Sequence, residues 1–165
     1  LEVNIKKYIQ EAVKDGFIRS DYNKFKEKLN QAQNILIIAD NAGEGVFDKL
    51  LLKELQKYDL EIIYAVREDS VLNDITFREA EKIGLGNKAR VISSGCKSPG
   101  LILKNSSKEF RKYYKKADIR ISKGQGNLEG LSEVKEDIFF LLKAKCELVA
   151  ELLKVEVGDL VFVFN

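Results

Sequence analysis

The sequence predicts an α/β fold, a mostly parallel central sheet with helices on both faces in a three-layer, Rossmann-like arrangement. Three observations carry this expectation. Apolar runs of strand length recur along the chain, the clearest being Asn34 to Ala39. A continuous apolar run bounded by turn residues marks a strand buried on both faces. Segments of helical spacing lie between such runs, and strands alternating with helices are the pattern of parallel crossover units.

Leu1 to Lys14 carries Ile5, Tyr8, Ile9 and Val13 at helical spacing, and Asp15-Gly16 ends it. Tyr22 to Ala32 reads as a second helix, with Phe25 and Leu29 four apart. The strand Asn34 to Ala39 then runs into a glycine-containing turn and a helix from about Val46 to Lys57. Glu61 to Val66 is the next strand. Asn73 to Ile83 is helical, closed by Gly84 and Gly86. Ala89 to Ser93 is a strand, Ser106 to Lys116 a charged surface helix, and Asp118 to Ser122 a strand with Ile119 and Ile121 on one face. Ile138 to Leu142 is either a strand or a buried helical turn. Cys146 to Leu153 is a short helix and Leu160 to Phe164 a terminal strand. The expected division is an N-terminal helical segment, 1–33, ahead of an α/β core, 34–165.

The composition narrows the function. With 165 residues, 45% hydrophobic and 33% charged, the chain is globular and large enough for one domain with a real core. A formal charge of +2 gives no basic face of the kind a nucleic-acid partner needs. No apolar run approaches the ~20 residues of a membrane span, and Leu1-Glu2-Val3-Asn4 does not open a secretory leader. The two cysteines, Cys96 and Cys146, lie far apart and read as reduced packing residues of a cytoplasmic protein. There is no histidine, which excludes histidine triads and histidine-held metals. Any metal is expected on oxygen ligands, which on hardness grounds favours Mg²⁺ or Mn²⁺. The absence of methionine leads us to expect a fragment of a longer chain.

Three polar clusters fall at strand ends, where open α/β sheets build their sites. Asp40-Asn41-Ala42-Gly43-Glu44 follows the most apolar strand. Gly43 lets the chain turn tightly enough for both side-chain oxygens to reach one ion, and an Asx turn capping the next helix is the alternative. In Asn73-Asp74, the aspartate either caps its helix or adds a second carboxylate to the same ion. Two carboxylates and an amide suit a hard divalent cation completed by waters. In Ser122-Lys123-Gly124-Gln125-Gly126-Asn127, bare glycine backbone and a lysine form a plausible phosphate cradle, with a plain connecting turn as the alternative. It is neither a Walker loop nor a dinucleotide fingerprint. Arg67 is read first as a surface ion pair with Glu68 or Asp69 and second as a phosphate contact. Lys104 to Lys116 is a solvated helix face.

Together these segments resemble the damage-control phosphatases, formerly the domain of unknown function 89 family. Ala39 to Glu44, Asn73 to Thr76 and Ser122 to Asn127 carry the resemblance, joined by Leu141-Leu142-Lys143-Ala144-Lys145-Cys146, which is similar to that family's C-terminal block. It runs from about Tyr22 to Asn165 with the motifs in the family's order. It implies an α/β phosphatase whose metal ion is held by Asp40, Asn41 and Asp74, with Co, Ni or Mn preferred by some members beside the Mg or Mn that hardness favours. The resemblance places Lys123 near the substrate phosphate. The implied substrates are sugar phosphates, phosphopantetheine derivatives and other small phosphometabolites. It also implies a helical region ahead of the point where this chain starts. Glu147 and Gly130 depart from the proline and threonine of many relatives.

The expected site therefore has Asp40, Asp74 and Lys123 as catalytic groups. Gly124 and Gly126 offer amides to phosphoryl oxygens, and Asn127, Glu44, Asn73 and Arg67 surround them. Attack by a water that Asp40 or Asp74 orients and direct attack by a carboxylate are both open. An S-adenosylmethionine-dependent methyltransferase and a non-catalytic phosphometabolite-binding protein are the competing readings. The oligomeric state is not legible.

Overall fold

The computed structural model describes residues 13–165. The helix expected over Leu1–Lys14 therefore lies, except for its last residues, outside the described residues. Seven strands form one sheet: β1 (Arg19–Ser20), β2 (Asn34–Ile38), β3 (Glu61–Val66), β4 (Arg90–Ser93), β5 (Ile119–Lys123), β6 (Phe139–Lys143) and β7 (Leu160–Phe164). Their order is β1-β7-β6-β5-β2-β3-β4. Strands β2 to β6 are mutually parallel, while β7 runs antiparallel to β6. From Arg19 onward, six α-helices accompany them among the described residues: α1 (Tyr22–Leu29), α2 (Ala42–Leu55), α3 (Phe77–Lys82), α4 (Lys108–Lys116), α5 (Gln125–Leu131) and α6 (Glu147–Leu153).

Strand alternation sorts the central residues into two cores. Ile35 and Ile37 of β2, Tyr64 of β3 and Ile121 of β5 face α1, α2 and α3 through Phe25, Leu29, Leu52, Leu55 and Ala80. Leu36 and Ile38, Ile63 and Ala65 face α4, α5 and α6 through Phe110, Tyr114, Leu128, Leu131 and Val149. Both faces are thus covered, which is why the central strands are apolar without interruption. The expected three-layer α/β class is the one observed.

The strands Asn34 onward and Glu61–Val66 fall where the sequence puts them, and Ile138–Leu142 resolves as a strand. Five features differ. Helix α2 begins at Ala42 rather than Val46, because Asn41 caps it. Gly45 near its start has a packing reason: a Cβ there would lie 2.7 Å from Ile75 Cδ1. Helix α3 starts at Phe77 rather than Asn73, since Thr76 and Glu79 form a capping box there. Gln125–Leu131 is a helix, where only a loop was expected. Terminal strand β7 is antiparallel, because Gly158 and Asp159 pair with Ala144 and so return the chain to the rim where β6 ends. Finally, β1 pairs with β7, and Phe25 of α1 stacks edge-on against Phe139 and Phe162 at 5.3 and 5.4 Å. Aromatic pairs of this kind each add ~0.5–1.5 kcal/mol beyond area burial. Residues 19–29 are therefore part of the same packed body as the strands that follow. Among the described residues no helix is long and apolar enough to cross a membrane.

Candidate active site

The chain runs from β2 to β3 to β4 on one side of the sheet, then crosses back to lay β5 on the other side of β2. That reversal opens a crevice beyond the carboxyl ends of β2 and β5, the usual ligand position in such sheets. The residues after β2, β3 and β5 meet there.

Backbone pairing brings the first two polar clusters together. Ile75 N donates to Asp40 O at 2.8 Å and Ala42 N to Asn73 O at 2.9 Å. Asn41 and Asp74 thereby face each other across a short antiparallel bridge. They form the non-hydrogen-bonded kind of pair, whose Cα atoms are about 4.5 Å apart and whose side chains are closest. Arg67 N, bonded to Ile75 O at 2.9 Å, adds the end of β3 to the same knot. Asn41 also fills the capping role, its Oδ1 accepting from Gly43 N at 2.6 Å. A carbonyl oxygen has a second lone pair, so capping and ligation are compatible on this one atom. Asp74 is not a cap. Its Oδ2 accepts from Arg67 Nε at 2.6 Å. Asn73 contributes through its backbone carbonyl, which holds Ala42.

Asp40 leans over the end of β5. A Cβ built on Gly124 would lie 2.1 Å from Asp40 Oδ2, so at φ +80° this position is open only to glycine. Burial is the main reason that the Asp40 carboxyl is pushed up to about 6; the nearby charges of Asp74 and Glu44 add to it, and Lys145 and Arg67 oppose it. Asp40, Asn41 and Asp74 thus sit on two paired backbone segments at this rim, and all three side chains offer oxygen. Among the described residues no group of three aspartate, glutamate, cysteine or histidine side chains is gathered for a metal, so an ion here would also use the Asn41 amide.

Lys123 ends β5 on the face that carries Ile119 and Ile121, which turns it toward α2. Its Nζ is bonded to Asp48 Oδ1 at 2.8 Å and Oδ2 at 2.9 Å, and lies 2.9 Å from Glu44 Oε2. Tyr64 donates its hydroxyl to Asp48 Oδ2 at 2.5 Å. Burial alone would depress the Lys123 ammonium, but Asp48 and Glu44 outweigh it and raise its affinity for the proton. Burial, reinforced by Asp48, likewise pushes the Tyr64 hydroxyl up, so it stays a donor. A cavity of about 290 Å³ lies over this group, lined by Asp40, Glu44, Lys123, Gly124, Lys145 and Leu160 among others.

Several expected roles need correction. Arg67 is not a surface ion pair: it is 2% exposed, and a second donor, Nη2, is bonded to Asn127 Oδ1 at 2.7 Å. Asn127 is fully buried, and its amide nitrogen donates to Ala39 O at 3.0 Å and Lys123 O at 2.7 Å. Arg67 and Asn127 therefore brace the ends of β2, β3 and β5, and Asn127 uses both of its polar atoms inside the protein. Gly124 does not offer its amide to a ligand, because that N–H donates to Leu141 O at 3.0 Å. Gly126, in the first turn of α5, has its carbonyl pressed against Gly100, where an added Cβ would lie 2.1 Å from Gly126 O. Gly130 follows the same logic, since a Cβ there would meet Leu101 O at 2.2 Å, so threonine does not fit this backbone. Of the two free cysteines, Cys96 is buried as expected, while Cys146 is exposed and accepts from Gln125 Nε2 at 3.3 Å. No motif in the sequence marks Asp48 or Tyr64. The available signal was the four-residue spacing of Glu44 and Asp48, which puts both on one helix face.

A family model described as "Damage-control phosphatase ARMT1-like domain" matches residues 1–161. "Damage-control phosphatase PH1575" of Pyrococcus horikoshii is 40% identical over 164 residues, covering 98% of this chain and 57% of the relative. A protein of Archaeoglobus fulgidus named "Damage-control phosphatase" is 32% identical over 163 residues, covering 98% and 56%. A crystal structure of a DUF89 family protein from Pyrococcus horikoshii matches with a TM-score of 0.94 at 40% identity, over 98% of this chain and 57% of that one. The chain thus spans a little over half the length of the relatives it matches. On the family match and these identities, with the fold already in place, the chain belongs to the damage-control phosphatase family through its ARMT1-like domain.

Proposed function

We propose that this chain forms the catalytic core of a divalent-cation-dependent phosphatase that hydrolyses phosphate monoesters of small metabolites, with Mn²⁺, Mg²⁺, Co²⁺ or Ni²⁺ as the ion. The observation that carries the reading is the Asn41–Asp74 bridge next in the chain to Asp40, which itself lines the cavity that holds Lys123. The donor set fits a hard cation. It is all oxygen, it is partly buried, and the crowding of Asp74 and Glu44 that helps raise Asp40 to about 6 is the repulsion a divalent ion would relieve.

Asp40, Asn41 and Asp74 would hold the ion. Bound there, it would supply positive charge for a phosphoryl oxygen and lower the pKa of a coordinated water. The chain's own groups do the rest. Arg67 fixes one oxygen of Asp74, leaving the other free to ligate. The Lys123 ammonium binds a non-bridging phosphoryl oxygen and offsets charge that develops as the ester bond breaks. Leu141 and Leu160 in the cavity wall give the carbon skeleton of the substrate an apolar rest and limit water. Asp40 or Asp74 orients the attacking water. Sugar phosphates and phosphopantetheine-like or damaged phosphometabolites are the substrate class.

The test is release of inorganic phosphate from a panel of such monoesters, with each metal and with chelator. Release should require metal, and Asp40→Ala and Asp74→Ala should each abolish it. Unchanged turnover in either variant rejects the ligand assignment.

A further inference from the structure

Helix α2 presents Glu44 and Asp48 on one face, and the Lys123 ammonium sits between them. The two carboxylates differ in kind. Asp48 is 7% exposed and takes two of the ammonium's contacts, and Tyr64 pins one of its oxygens from below. Glu44 takes one contact from the cavity side and is 49% exposed. An ammonium has three N–H donors, so Asp48 and Glu44 between them fill its capacity. A phosphoryl oxygen can reach Lys123 only by replacing one of these carboxylates. Leaving Asp48 would strand a buried carboxylate with only its tyrosine partner, whereas leaving Glu44 frees a side chain that water can solvate.

We infer that Asp48, backed by Tyr64, is the positioning residue that holds Lys123 aimed into the cavity, and that Glu44 is a displaceable carboxylate occupying the place an anionic ligand oxygen takes. This rests on the reading that the cavity receives a phosphoryl group. It adds a built-in competitor to that cavity: Glu44 holds the cavity-side contact of Lys123 until an anion takes that contact over.

Inorganic phosphate is the probe, used in chelator so that no metal is needed, with two readouts. The first is the ¹⁵N signal of the Lys123 ammonium. A buried, carboxylate-bound ammonium exchanges slowly and gives an observable signal; phosphate should shift it. The signal should persist in Glu44→Gln and disappear in Asp48→Asn. If Asp48→Asn fails to fold by its amide spectrum, Tyr64→Phe replaces it and should speed the exchange of the same signal. The second readout is phosphate affinity by calorimetry. Glu44→Gln should bind about tenfold tighter, the scale of one charge-assisted hydrogen bond no longer to be broken. Glu44→Asp keeps the charge but shortens the reach, and should tighten binding as well. An ammonium signal that phosphate leaves unmoved, or one that survives Asp48→Asn, overturns the inference. So does tightening in Glu44→Gln without tightening in Glu44→Asp, since that is a field effect alone. Phosphate release from monoesters with an unresponsive ammonium would overturn this inference and leave the phosphatase reading standing. A responsive ammonium with no release from any monoester would do the reverse.

Discussion

Arg67 and Lys123 are two buried cations of the same rim, and they are held in opposite ways. Arg67 donates to Asp74 and Asn127, both inside the protein. Both partners are enclosed, so the guanidinium works as a brace. Lys123 has one enclosed partner, Asp48, and one open to the cavity, Glu44. Planar arginine suits fixed, multi-point bonding, while a lysine ammonium is a compact charge that can change partners. One cation therefore fixes the geometry of the proposed metal ligands, and the other keeps a contact that a ligand can take.

The largest effect expected from this contrast is on the brace. Arg67→Ala leaves Asp74 and Asn127 buried without their partner and should cost about 3–5 kcal/mol of stability, read from urea unfolding. A loss below ~1 kcal/mol would put Arg67 in the same exchangeable class as Glu44. Next comes the coupling of Asp40 to protons. With the carboxyl raised to about 6, it is protonated below that pH, and a proton competes with a cation for the same oxygen. Affinity for Mn²⁺ should be level above pH 6 and fall about tenfold per pH unit below it, as measured by calorimetry. Affinity rising as pH falls would contradict the assignment.

Two smaller effects separate the partners of Lys123. Tyr64→Phe removes the hydroxyl on Asp48 but leaves the ion pair, and should cost about 1 kcal/mol in unfolding. Glu44→Gln removes a half-exposed contact and should cost less than ~1 kcal/mol. Equal losses from both would erase the distinction between an enclosed and an exchangeable carboxylate.

Much of this was legible in the sequence, for particular reasons. The strand runs 34–38, 61–66 and 160–164 are legible because a strand covered on both faces must be apolar at every step. The clusters around Asp40, Asp74 and Lys123 were legible because sheet topology puts strand ends at the site, and the bridge of Asn41 to Asp74 brings two of them together. Strand direction was not legible, since alternation reads the same both ways, and the reversal of β7 was hidden on that account. Helix α5 was hidden by Gly126 and Gly130, which lower helix propensity but let the helix press against the backbone of Gly100 and Leu101. Nothing local marks Asp48, and Arg67 reads as a surface cation. Both gain their meaning from partners far along the chain, Lys123 and Asn127, which no local spacing reveals.

A shared cation at the end of β2 underlies the whole of the proposed chemistry. Crystals grown with Mn²⁺ and measured at its absorption edge would decide this directly. One anomalous peak is expected within coordination distance of Asp40, Asn41 and Asp74. A map with no peak between those side chains, or with Mn²⁺ bound only elsewhere, would contradict it.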